Sequence, residues 1–259
     1  MPDYSVIDHP DILQYLFFPR KDNAPGPPHS FDVSVNVDPD VFVSCRFYVE
    51  SRDLPWILYF HGNGEVVSDH DDISLFYNRI GLNLVVADYR GYGASTGSPT
   101  FSNLVKDAHA IWDEVRATFS RRGYSGGLWV MGRSMGSVSA LELASSYPDL
   151  IKGFIIESGF ASPTRLIRHL GLPAHNVDLN KLETECLSMI REIRLPALII
   201  HGQLDTLVPI SEAKLLFEQL GSLQKKIEVI PYADHNNIIY VGLQSYFKAI
   251  YDFVFTSPK

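Results

Sequence analysis

The stretch Leu128-Trp129-Val130-Met131-Gly132-Arg133-Ser134-Met135-Gly136-Ser137 sets a serine between two glycines where an apolar, strand-like run gives way to a helix-like one. A strand–turn–helix of this kind exposes the middle side chain on a tight turn, and the small flanking residues keep bulk away from it. A serine hydroxyl attacks poorly unless a base takes its proton and donors receive the developing oxyanion. The pattern G-x-S-x-G alone carries little weight, since composition produces it by chance in about one such chain in ten. A second copy, Gly93-Ala94-Ser95-Thr96-Gly97, stands in this chain. Context separates them. Ser134 directly follows its apolar run and precedes Val138-Ser139-Ala140-Leu141-Glu142-Leu143-Ala144, whereas Ser95 sits in a glycine-rich loop just ahead of Pro99.

Working outward from Ser134, short apolar runs recur at Phe42 to Val49, Trp56 to Phe60, Leu84 to Asp88, Phe154 to Ile156, Ala197 to Ile200 and Ile227 to Ile230. Several lack polar alternation, the mark of parallel strands covered on both faces. Helical periodicity fills the gaps. Leu104, Ala108, Ile111, Val115 and Phe119 share one face, Ser211 can cap a helix through Leu220, and a last helix is expected soon after Asn237. Alternating strands and helices predict an α/β fold with a mostly parallel central sheet and right-handed crossovers. Residues 1–33, rich in proline, are expected to wrap the sheet edge. About forty residues between Glu157 and Pro196 contain no strand. They are expected to hold a short cap or lid at about 160–195, with Leu166, Ile167, Leu170 and Leu172 either facing a pocket or anchoring the insertion.

At 259 residues and 46% hydrophobic content, residues 1–259 are expected to form a single domain. Met1-Pro2-Asp3-Tyr4 lacks the layout of a signal peptide, and no apolar run is long enough to span a bilayer, so a cytoplasmic protein without membrane insertion is expected. A formal charge of −8 argues against a nucleic-acid partner. Cys45 and Cys186 read as two reduced thiols, although a bridge between them is an open alternative. Ser68-Asp69-His70-Asp71-Asp72 has metal-capable side chains, but no further ligand set converges on it, and its acids suit a helix N-terminus. No dinucleotide or phosphate-loop fingerprint is present, so neither cofactor nor metal is expected.

A serine nucleophile needs a histidine base, and the base needs a carboxylate to fix its tautomer. Downstream of Ser134, the run Ala197 to Ile200 leads into His201-Gly202-Gln203-Leu204-Asp205, and the next run ends in Pro231-Tyr232-Ala233-Asp234-His235-Asn236-Asn237. Asp205 and His235 both fall at carboxyl ends of strands, where ligands of open α/β sheets bind. Taken alone, an aspartate in a turn usually bonds local backbone. Asp234 is an alternative to Asp205, although its position beside His235 gives awkward geometry. Ile57-Leu58-Tyr59-Phe60-His61-Gly62-Asn63-Gly64 runs from a strand into a glycine-flanked turn that can aim N–H groups at an oxyanion, with Met135 as second donor. His61 precedes the serine and suits a structural role.

Five segments in this order resemble the α/β-hydrolase-fold serine hydrolases: His61-Gly62-Asn63-Gly64, Asp88-Tyr89-Arg90-Gly91-Tyr92-Gly93, Gly132-Arg133-Ser134-Met135-Gly136, Gly202-Gln203-Leu204-Asp205 and His235-Asn236-Asn237. The resemblance runs from about Leu54 to Phe255 and is greatest to small monoacylglycerol-lipase-like and depalmitoylase-like members. It implies an α/β-hydrolase fold, with Ser134 as nucleophile, His235 as general base and acid, and Asp205 as its orienter. It also implies backbone N–H groups of Asn63 and Met135 as oxyanion donors. The loop from Asp88 to Gly97 would pack beside the serine turn, which accounts for Ser95 without chemistry. Arg133 departs from the histidine that such enzymes often carry there. The expected function is cleavage of small-molecule carboxylic esters or thioesters through an acyl-enzyme. A peptidase or amidase on the same fold is the first alternative, and a non-catalytic binding protein that kept the fold is the second.

Overall fold

The structure, a computed structural model, describes residues 1–174 and 177–256. Its elements in chain order are α1 (Pro10–Leu16), β1 (Ser30–Asp38), β2 (Val41–Tyr48), β3 (Trp56–Phe60), α2 (Asp71–Arg79), β4 (Asn83–Ala87), α3 (Phe101–Arg122) and β5 (Leu128–Arg133). They continue with α4 (Ser137–Ser146), β6 (Phe154–Glu157), α5 (Pro163–His169), α6 (Leu179–Glu192), β7 (Ala197–Gly202), α7 (Ile210–Gln219), β8 (Lys225–Ile230) and α8 (Ile238–Phe255). All eight strands join one sheet in the order β1-β2-β4-β3-β5-β6-β7-β8. From β4 to β8 every pairing is parallel, while β1 and β2 add an antiparallel hairpin at one edge.

The unalternating apolar runs follow from burial on both faces. On β3, Trp56, Leu58 and Phe60 pack on the side of α3, α4, α6 and α7, while Ile57 and Tyr59 pack on the side of α2 and α8. Each strand residue must then be apolar, because neither face meets water. Complete burial of a side chain such as Leu58 contributes about 1.5–3 kcal/mol. Helix α3 begins at Thr100, whose hydroxyl accepts from the Asn103 N–H at 3.1 Å, and stops at Gly123 in the left-handed region. Among the described residues no helix is long and apolar enough to cross a membrane.

One region differs from the sequence expectation, and a second combines alternatives that the sequence left open. Residues 30–38 do not wrap the sheet edge; they are the edge, as β1. Ahead of β1, the N-terminal arm crosses toward the carboxyl ends of the strands. Asp8 accepts from the Phe101 and Ser102 N–H groups at 2.7 and 3.1 Å, capping α3 from outside, and Phe17 packs edge-on against Phe101. The strandless region 158–195 contains two helices with unlike roles. Leu182, Cys186 and Ile190 of α6 are buried in the main core, whereas α5 lies over Ser134 and presents Leu166 to the cavity there. His175 and Asn176, within the expected cap, lie outside the described residues. Both cysteines are free and buried.

Candidate active site

Strand β5 ends at Arg133, and Ser134 turns the chain with φ 51°, a left-handed value that a residue with a Cβ adopts at a cost of about 1–2 kcal/mol. A short 3-10 turn over Ser134–Gly136 then leads into α4. Both flanking glycines are required by close approach. A methyl group at Gly132 would run into the carbonyl oxygen of Gly136, and one at Gly136 into that of Phe60. The turn is thus pressed against the end of β3, and Ser134 is held with only 6% of its surface exposed.

The tertiary fold brings Ser134, Asp205 and His235 together from three strand ends. His235 Nε2 lies 3.1 Å from Ser134 Oγ, and His235 Nδ1 lies 2.7 Å from Asp205 Oδ2. A carboxylate only accepts, so Nδ1 carries the proton and Nε2 is left to accept from the serine hydroxyl. The other oxygen of Asp205 accepts from the Leu207 and Val208 N–H groups at 3.0 and 2.8 Å, which fixes the carboxylate plane. Asp234 is used differently. It accepts from the Asn236 and Asn237 N–H groups at 2.8 and 3.0 Å and so shapes the loop that carries His235. Behind Asp205, buried His201 has its pKa pushed down by desolvation, and its Nε2–H donates to the Val208 carbonyl at 2.7 Å.

Asn63 and Met135 both line the cavity over Ser134. Among the described residues the Asn63 N–H has no hydrogen-bond acceptor, and the Met135 N–H lies in the first turn of a helix, where no intrahelical acceptor exists. The Asn63 side chain is a clamp that the sequence did not reveal. Its Oδ1 accepts from the Phe18 N–H at 2.9 Å and from the Tyr92 hydroxyl at 2.6 Å. Tyr89 of the same loop donates to the His61 carbonyl at 2.6 Å, so the Asp88–Gly97 loop braces the turn after β3. His61 is fully buried, with Nε2 3.2 Å from Asp88 Oδ1. Ser95 is buried too, accepting from the Ser44 N–H at 2.9 Å, and stands away from the Ser134 cavity. The Tyr-Arg-Gly-Tyr-Gly stretch was visible in the sequence; its target was not.

Arg133 sits at the centre of a buried polar cluster. Its guanidinium donates to Glu65, to Glu157 at 3.1 Å and to the His235 carbonyl at 2.7 Å, with Asn236 Oδ1 at 3.4 Å. Desolvation alone would lower the arginine pKa, but the two carboxylates outweigh it and hold the charge on. Glu65 shows the converse. Burial pushes its carboxyl up, and Arg133, His70 and His61 together carry it well below the ordinary range. Two aspartates of the acidic segment after Glu65 are taken by cations of this chain, as Asp71 binds Arg46 at 3.1 Å and Asp69 pairs with Arg20.

The cavity over Ser134 is small and apolar, about 110 Å³, with Tyr15 and Phe18 from the N-terminal arm facing Leu166 and Leu170 across it. A buried serine hydrogen-bonded to a histidine that a carboxylate orients, with two N–H-bearing residues beside an apolar recess, is an arrangement that acyl transfer can use.

A family model described as serine aminopeptidase, S33, matches residues 54–177. The chain is 32% identical over 219 residues to protein bem46 of Schizosaccharomyces pombe, covering 79% of this chain and 68% of that one. It is likewise 32% identical over 213 residues to human alpha/beta hydrolase domain-containing protein 17B, covering 77% and 67%. Among solved structures, the Pyrococcus furiosus esterase Pf2001 superimposes with a TM-score of 0.72 at 20% identity, covering 91% of this chain and 97% of that chain. At that identity the structural likeness is one of fold.

Proposed function

Because the chain belongs to the α/β-hydrolase family that includes bem46 and alpha/beta hydrolase domain-containing protein 17B, we propose that it is a serine hydrolase of small carboxylic esters or thioesters. The observation that carries this reading is the unbroken chain of contacts from Ser134 Oγ to His235 Nε2 and from His235 Nδ1 to Asp205 Oδ2.

In this reading Ser134 Oγ attacks the acyl carbonyl carbon while His235 Nε2 takes the hydroxyl proton. The carbonyl oxygen gains negative charge and is received by the N–H groups of Asn63 and Met135. One such donor accounts for about 10²–10³-fold in rate. The tetrahedral adduct collapses, His235 returns its proton to the leaving alkoxide or thiolate, and the acyl group stays on Ser134. Water then enters, loses a proton to His235 and cleaves the acyl-enzyme, which regenerates the serine. Asp205 stabilises the imidazolium in both halves. The apolar recess beneath Phe18 and Leu166 receives the acyl chain. The reaction calls for nothing beyond these residues and water.

The test is hydrolysis of p-nitrophenyl esters from acetate to palmitate, and of an acyl thioester, by wild type beside Ser134→Ala. Activity lost in the variant, together with fluorophosphonate labelling of the wild type alone, is the expected result. A fully active Ser134→Ala protein overturns the reading. The serine aminopeptidase description of the matching family model favours amide cleavage as the second reading. It predicts turnover of aminoacyl p-nitroanilides in place of the esters.

A further inference from the structure

A recess larger than the one over Ser134 lies elsewhere in the molecule. A cavity of about 380 Å³ opens between α2 and the first turns of α8, against about 110 Å³ above the serine, and the two share no lining residue. Arg133, the last residue of β5, lines one cavity, and Ser134, on the turn that follows, lines the other. Its size falls within the range of small-molecule sites, and its make-up is that of one too: apolar walls with a few polar groups at the floor.

We propose that this cavity is a second ligand site, built for a small organic cation with an apolar body. The walls come from Ile73 and Phe76 on α2 and from Ile238, Ile239 and Leu243 on α8. They offer an aliphatic tail a dry surface. The polar side is set by charge. Glu65, Asp72 and Glu157 place three carboxylates around the cavity against one guanidinium, Arg133, and one imidazole, His70. Carboxylates are in excess whichever protonation state His70 adopts.

The single permanent cation has little left for an anionic ligand. Every nitrogen of Arg133 already donates within the protein, to Glu65, Glu157, the His235 carbonyl and Asn236. Asp72 is the reverse case, an exposed carboxylate at the cavity that pairs with no cation among the described residues. Tyr59 and Tyr240 add aromatic rings, which attract a cation placed over their faces, whereas Phe76 is already engaged by Arg79 and Phe247 and serves as apolar wall. His70 contributes a buried Nε2 with no hydrogen-bond partner. A ligand in this cavity touches Asn236, the neighbour of His235.

The experiment is calorimetric titration of the full chain with hexyltrimethylammonium, with hexanoate and 1-hexanol as probes of equal tail length. We expect one saturable site for the cation, about tenfold or more tighter than for hexanol, and no binding of hexanoate. Asp72→Asn weakens the cation a few-fold. Leu243→Trp fills the cavity and abolishes binding, and Ile239→Trp serves the same purpose should Leu243→Trp fail to fold. Ser134→Ala binds like wild type. Absence of saturable cation binding, equal binding of hexanoate, or binding that survives both tryptophan variants overturns the proposal. The readout is heat of binding, so it stands whether or not the hydrolase reading does.

Discussion

Replacing Arg133 by methionine keeps most of the side-chain volume and removes the charge on which the buried cluster depends. Glu157 is fully buried and would retain only the Tyr246 hydroxyl at 2.6 Å and the Tyr59 hydroxyl at 3.4 Å. Glu65 would keep the Gly62 N–H at 2.9 Å, and the His235 carbonyl would lose its 2.7 Å donor. Breaking a buried ion pair by removing one partner costs about 3–5 kcal/mol. In a domain of this size that lowers the melting temperature by about 6–20 °C. The pH dependence follows from Glu65, whose folded-state pKa is depressed by Arg133 against the opposing effect of burial. A depressed carboxyl contributes stability that is fully present above its unfolded value, about 4.3, and is lost as pH falls through the folded value. Without Arg133 the folded value rises and that contribution disappears. The deficit of Arg133→Met is therefore full above about pH 5 and narrows below about pH 4. Thermal melts of both proteins from pH 3 to 8 measure it. A melting temperature within about 2 °C of wild type at pH 7, or a deficit that grows toward acid, would refute the argument.

Asp205→Asn keeps an acceptor for the Leu207 and Val208 N–H groups but turns an amide N–H toward His235, which reverses the imidazole tautomer. Ester turnover should fall about 10⁴-fold with little change in melting temperature; a loss of stability without that fall in kcat would count against the role. Gly136→Ala drives a methyl group into the Phe60 carbonyl, so a destabilisation of about 1–3 kcal/mol in urea melts is expected, with activity lost as the serine turn shifts. Asn63→Ala leaves its N–H in place but removes the acceptor shared by the Phe18 N–H and the Tyr92 hydroxyl, which keep only their 3.0 Å contact with each other. Steady-state kinetics should show kcat reduced about tenfold, and an effect confined to KM would contradict a positioning role.

Much of the fold was legible because it is written in local pattern. The double-sided burial of β3, β4, β5, β6 and β7 demands unalternating apolar runs, and those runs located the strands to within a residue or two. Strand β1 escaped notice because an edge strand with a half-exposed face carries a mixed sequence, Ser-Phe-Asp-Val-Ser-Val-Asn-Val-Asp, that belongs to no buried run. The start of α7 was expected at a Ser211 cap; it lies at Ile210 after Pro209, whose fixed φ already suits a helix start.

The sequence by itself marked the serine turn, since the left-handed Ser134 and the close approach of Gly132 to the Gly136 carbonyl are local, while the need for glycine at 136 comes from the Phe60 carbonyl of β3. It also determined that Asp205 and His235 emerge at carboxyl ends of strands, because strand periodicity and loop position are short-range properties. Tertiary structure decided what those residues touch. Asp205 rather than Asp234 faces the imidazole because β7 and β8 are parallel neighbours, while Asp234 is consumed by its own loop. The N-terminal arm reaches Asn63 across 45 residues, Arg133 gathers partners 24, 68 and 102 residues away, and the larger cavity forms between helices from opposite ends of the chain. Contacts at such separations are selected by the packing of the whole sheet, which leaves no periodic trace along the chain.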